Sequence, residues 1–160
     1  MKTILPKITA LSFFVLFFTL TSNAQVLTVK TLSLEGAKKV VEAAKQSAKQ
    51  LNAPGGSFAI VDAGGNLILL ERIDGTFPAA SEVAIKKANT AATFKAPTKK
   101  LEDAVNGGRI ALATVGHTFL QGGQPILVDG QVVGAIGISG TASGEQDEQI
   151  ALLASKALLQ

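Results

Sequence analysis

The chain has a single histidine. His117 lies in the run Thr114-Val115-Gly116-His117-Thr118-Phe119, between a glycine and an aromatic ring. A lone imidazole cannot build a multi-histidine metal centre, but it can serve as an axial ligand to haem iron. The same surroundings also suit an ordinary loop histidine. Arg72 and Asp74 end a strand-like run, and Arg109 follows a Gly-Gly pair. A guanidinium suits bidentate recognition of carboxylates, porphyrin propionates included, and a structural Arg72–Asp74 contact reads equally well. Ser139 and Asp147 supply the other members of a Ser-His-Asp set. No GxSxG elbow surrounds Ser139, so these two read as turn and cap residues. The run Gly134-Ala135-Ile136-Gly137-Ile138-Ser139-Gly140 has its glycines three apart within a strand. A dinucleotide loop needs GxGxxG at a strand-to-helix turn, so Gly134 and Gly137 mark a bulge or the close approach of another group.

Composition narrows the chemistry further. The 160 residues hold no Cys, Trp or Tyr, and 47% are hydrophobic. Without thiols there is no disulfide, thiolate metal site, iron–sulfur cluster or cysteine nucleophile. A formal charge of +3 gives no basic footprint for nucleic acid, and the missing Trp and Tyr weaken any base-stacking platform. The lysines at 38, 39, 45 and 49, and at 86, 87, 95, 99 and 100, alternate with acids or alanines and read as solvated helix faces.

Residues 1–24 read as a signal peptide. Lys2 and Lys7 precede the apolar run ITALSFFVLFFTL, and Ser22-Asn23-Ala24 follows as a cleavage site with small residues at −3 and −1. That run is shorter than the roughly 20 residues needed to span a bilayer. Cleavage leaves 25–160 as a single domain of net charge +1, exported to the periplasm or exterior and free of the membrane. Without disulfides, its core or an oligomer must stabilise it.

The elements that would position these residues follow from periodicity. Val26–Thr31 alternates as a short strand. Ser33 caps a helix over 34–51, whose apolar positions recur at helical spacing. The runs 57–63 and 66–73 flank Gly64-Gly65 as a hairpin. A small-residue helix covers 79–94, and Thr98 caps a short helix over 99–106. Pro125–Val128 and Gln131–Ser139 form a second hairpin around Asp129-Gly130, a pair suited to a type I′ turn. A helix over 145–159 closes the chain, with Ile150, Leu153, Ala154, Ala157 and Leu158 inward. Two hairpins and several helices predict an α+β domain with an antiparallel sheet.

Four stretches carry a resemblance: AIVDAGGNLILLERIDG (59–75), AIKKANTAATFKAPTKKLEDAVNGGR (84–109), LQGGQPILVDGQVVGAIGISG (120–140) and EQDEQIA (145–151). Together they resemble the GlcG/HbpS-type haem-binding family, which also occurs as the C-terminal domain of PduO-type proteins. The stretches cover nearly the whole chain after residue 24. The resemblance implies a profilin-like fold, with a five-stranded antiparallel sheet flanked by helices, and a homo-oligomer. It implies haem as cofactor for some members and haem degradation for others. Arg72, Asp74, Lys86, Thr90, Pro125 and Asp147 match the family's polar and turn positions. His117 lies outside the matched stretches, just before LQGG.

The expectation is an exported, oligomeric small-ligand-binding protein with haem as the named ligand. Arg72, Asp74, Lys86, Gly122, Gly123 and Gly137 would line the ligand, and His117 would be the metal ligand. The glycines would form a wall that a flat ligand can approach. The alternatives are an enzyme acting on haem or another small molecule in the same pocket, through groups such as Arg72, Asp74, Lys86, Glu82 and Asp147, and a structural interaction module built on the Ala-rich helix.

Overall fold

Ser33 starts the first helix as its sequence position predicts: its hydroxyl accepts the Gly36 N–H at 3.1 Å. In the computed structural model, which describes residue 25 and residues 27–159, that helix is α1 (Leu34–Gln50). The segment expected to be a signal peptide lies outside the described residues. The strands β1 (Ser57–Asp62) and β2 (Leu67–Arg72) follow, then α2 (Ala79–Phe94) and α3 (Thr98–Asn106). A 3-10 turn over Ile110–Val115 leads to β3 (Gly123–Val128), β4 (Gln131–Ser139) and α4 (Gly144–Ala154).

The described sheet has four strands, in the order β2-β1-β4-β3, all antiparallel. This corrects the expected five. Residues 27–31 form no ladder with either edge strand, β2 or β3. Leu32 makes one backbone bond instead, donating to the Val133 carbonyl at 2.8 Å. The β3–β4 register shifts between Ile126 and Leu127 and gives Val133 no partner across β3. Leu32 therefore satisfies a group that this bulge leaves over.

Strand alternation divides the core into two layers. Phe58, Ile60, Ile136 and Ile138 face α1 and α4, and meet Val40, Val41 and Ile150. Ala59, Val61 and Ala135 face α2, and meet Ala84, Ala88, Ala91 and Ala92. Bulky residues fill one side, and the other is reduced to methyl groups so that α2 lies close against the sheet. Gly137 takes this furthest: a Cβ there would overlap the Ala84 carbonyl oxygen and stand 2.5 Å from Ala88 N. Close approach of the helix is therefore the reason for this glycine.

Turn chemistry agrees with the sequence. Asp129 and Gly130 both take positive φ, 50° and 73°. In the first hairpin Asp62 Oδ1 accepts the N–H groups of Gly64 and Asn66. The Asn66 amide chiefly holds that carboxyl below its ordinary range.

Two helix boundaries differ from expectation. Thr98 is the first residue of α3, not its cap, because its hydroxyl is taken by the Gly123 N–H at 2.8 Å. α4 stops at Ala154, where Ser155 bonds back to the Leu152 carbonyl. Leu153, expected inward, is exposed, because Ile150, Ala151 and Ala154 occupy the buried stripe.

Gly137→Ala should destabilise the protein by about 1–3 kcal/mol through overpacking against α2. Urea unfolding measures it; an unchanged midpoint would show that α2 yields freely.

Candidate functional site

Lys87 lies in phase with Ala84, Ala88 and Ala91 on the buried side of α2. Its side chain is 4% exposed, and that of Asp147 on α4 is 7% exposed. The ammonium donates to Asp147 Oδ2 and to the Ile138 carbonyl, both at 2.8 Å. Asp147 Oδ1 accepts the Thr141 hydroxyl at 2.7 Å and the Thr141 N–H at 3.2 Å. The pair is thus hydrogen-bonded as well as paired, as a buried ion pair requires. The sequence signal was a lysine at helical spacing within an alanine stripe, which a reading of Lys87 as solvated overlooks.

This pair accounts for the LQGG run. A Cβ on Gly122 would lie 2.8 Å from Asp147 Cβ and 3.0 Å from Lys87 Nζ. One on Gly123 would lie 2.5 Å from the Lys87 carbonyl oxygen and 2.6 Å from Thr98 Cγ2. Gly122, Gly123 and Gly137 are all buried. Protein atoms fill the space where a flat ligand was expected, because the alanine stripe lets α2 occupy it.

The connector into β3 is pinned by side chains. Gln121 N–H donates to Glu102 Oε2 at 2.9 Å, and Gly122 N–H to Glu148 Oε2 at 2.8 Å. Gln124 Nε2 donates to the other Glu148 oxygen. Burial pushes the Glu148 carboxyl above its ordinary 4.5, against the lowering effect of these two hydrogen bonds.

The structure brings two of the sequence-predicted site residues together. Lys86 and His117 line one cavity of about 260 Å³, with Gly65, Ile85, Asn89 and Thr90. The Thr118 N–H donates to Thr90 Oγ1 at 3.2 Å, which fixes the connector beside α2. The His117 ring meets Phe94 edge-on, with centroids 5.0 Å apart, and Phe94 meets Phe119 in the same way at 5.6 Å. Lys86 Nζ pairs with Glu82 at 2.7 Å on the exposed side of α2.

Arg72 and Asp74 lie elsewhere, both exposed, in a depression of about 310 Å³ with Lys45, Phe58, Glu71 and Ile73. The Arg72–Asp74 ion pair does not occur; Glu71 instead pairs with Lys45 at 3.1 Å. Arg109 is exposed ahead of the 3-10 turn. His117 lines a different cavity from Ser139 and Asp147, so no Ser-His-Asp set assembles.

The His117 cavity offers an imidazole and an ammonium, which suit an iron and a propionate of a haem, with Ile85 its one apolar side chain. At about 260 Å³ it is below the usual 300–1,000 Å³ of small-molecule pockets, so it cannot enclose a macrocycle alone. Among the described residues, no three His, Cys, Asp or Glu cluster to hold a bare metal ion. No described helix is long and apolar enough to cross a membrane.

Known proteins share this sequence pattern and this fold. A family described as "Haem degrading protein HbpS-like" matches residues 32–156. Protein GlcG of Escherichia coli strain K12 is 41% identical over 109 residues, 68% of this chain and 81% of GlcG. The crystal structure of HbpS superposes with a TM-score of 0.76 at 35% identity, covering 86% of this chain and 96% of HbpS. The PduOC–haem complex superposes at 0.69 and 34% identity, covering 79% and 94%.

Breaking the buried pair by Lys87→Met should cost about 3–5 kcal/mol, and Lys87→Met with Asp147→Leu should recover much of it. Chemical denaturation of both variants checks this; equal losses would contradict it. Because the folded state favours protonated Glu148, its contribution to stability is greatest at low pH and falls as pH rises through and above 4.5. Glu148→Gln should therefore gain stability relative to the native protein between acid and neutral pH. A constant difference across a pH series would refute the assignment.

Proposed function

Since the chain belongs to the HbpS-like family, we propose that it is a haem-binding protein in which His117 would hold the iron. The observation that carries this reading is the chain's single imidazole, held against Phe94 in the cavity it shares with Lys86. The Phe94 edge limits the swing of the imidazole, and Thr118, bonded to Thr90, holds the connector that carries it. Lys86 places a cation at the rim, where a propionate would be recognised. Bound haem would supply iron-centred redox chemistry. A haem complex of the relative PduOC supports the choice of ligand.

The cavity covers only part of a macrocycle, and this supports a homo-oligomer in which a second copy completes the site. Ile110 is 71% exposed, and Val115 and Leu120 are each 48% exposed, all on the segment that carries His117. Exposed apolar residues grouped in this way commonly mark association. The sheet with helices on both faces suits the profilin-like class, and residues 1–24 suit export to the periplasm or exterior.

Titrating the purified protein with hemin should give a saturable Soret shift, and His117→Ala should weaken it by at least about tenfold. Outer-shell changes at metal sites cost 10–100-fold, and loss of a direct ligand should cost no less. A featureless titration would overturn haem binding; an unchanged titration in His117→Ala would overturn the ligand. The family's description names haem degradation. Loss of the Soret band with reductant and oxygen, giving a defined tetrapyrrole product not formed from free hemin, would move the reading from binding to catalysis.

A further inference from the structure

A separate cavity of about 300 Å³ lies where the end of β4, the start of α4, the first half of α2 and the β3 connector meet. Ser139 lines it and is 6% exposed. Its cross-strand neighbour Ser57 has the Ser81 hydroxyl at 3.2 Å, whereas the Ser139 hydroxyl makes no hydrogen bond among the described residues. No fully enclosed side-chain polar atom there lacks a partner, so the Ser139 oxygen must be reached from the cavity.

Two further lining groups have unused capacity. Lys87 has three protons and two acceptors, Asp147 Oδ2 and the Ile138 carbonyl. Glu102 gives one oxygen to the Gln121 N–H, and its other oxygen has no partner among the described residues. Phe77, Val83 and Leu120 supply the apolar part of the lining. The cavity therefore offers donors from Ser139 and Lys87, an acceptor from Glu102, and a hydrocarbon surface.

Charge selects the ligand class. Asp147 already neutralises Lys87, so Glu102 leaves the lining one negative charge in excess. A carboxylate would meet that excess, and a neutral group with adjacent acceptor and donor would not. The geometry points to a second ligand site, distinct from the His117 cavity, that binds a small neutral amide. The amide carbonyl accepts from Ser139 and Lys87, its N–H group donates to Glu102, and its hydrocarbon part lies against Phe77, Val83 and Leu120. This site does not depend on haem binding.

Isobutyramide and its isosteric anion isobutyrate test it on 15N-labelled protein by NMR. Isobutyramide should shift the backbone amides of Ser139, Gly140, Thr141 and Gly144 saturably, and isobutyrate should not. Ser139→Ala should weaken isobutyramide about fivefold, the value of one neutral hydrogen bond. Glu102→Gln keeps an oxygen for the Gln121 N–H and removes the charge, so isobutyrate should then shift the same amides. The proposal is overturned if isobutyramide gives no saturable shift at these amides. It is equally overturned if Ser139→Ala binds isobutyramide as well as the native protein, or if the native protein binds isobutyrate as tightly as isobutyramide.

Discussion

Removing the Lys87 ammonium from water costs several kcal/mol, and the fold must offset this at one place. It does so with Asp147 and the Ile138 carbonyl, and Thr141 secures Asp147 in turn. That arrangement ties α2 to the end of β4 and to the start of α4. It requires α2 to lie close to the sheet, which the alanine stripe and Gly137 permit. It also requires Gly122 and Gly123 to pass the pair without side chains. The connector carrying His117 enters β3 through those two residues, so the position of the imidazole depends on a lysine it does not touch.

Much of this was legible in the sequence, and what was missed has identifiable physical causes. α2 and β4 fall at the predicted residues because Pro, Gly and periodicity mark their ends. The Asp129-Gly130 turn followed from its demand for positive φ. The N-terminal strand failed because alternation reports only a residue's facing and not whether a ladder forms; residues 27–31 pair with neither edge strand, β2 nor β3. Thr98 was misread because a hydroxyl before a helix can cap it or serve a distant N–H, and Gly123 decides which.

The site shows the same division. Composition isolated His117, and α2 brought Lys86 beside it, a juxtaposition that needs the third dimension. The glycines mark positions of close approach, but protein is what approaches: α2 at Gly123 and Gly137, the Lys87–Asp147 pair at Gly122, and Val61 and Leu32 at Gly134. Arg72 and Asp74 were grouped with the ligand by family pattern, and they occupy a separate depression. Buried polar chemistry thus collects around Lys87, while His117 lines a separate cavity of about 260 Å³.

A crystal structure of the protein grown with hemin tests the central claim most directly. The account predicts iron bonded to the His117 imidazole, a propionate near Lys86, and a second copy over the opposite face of the macrocycle. Haem seated elsewhere, with His117 still turned edge-on to Phe94 and unligated, would contradict it.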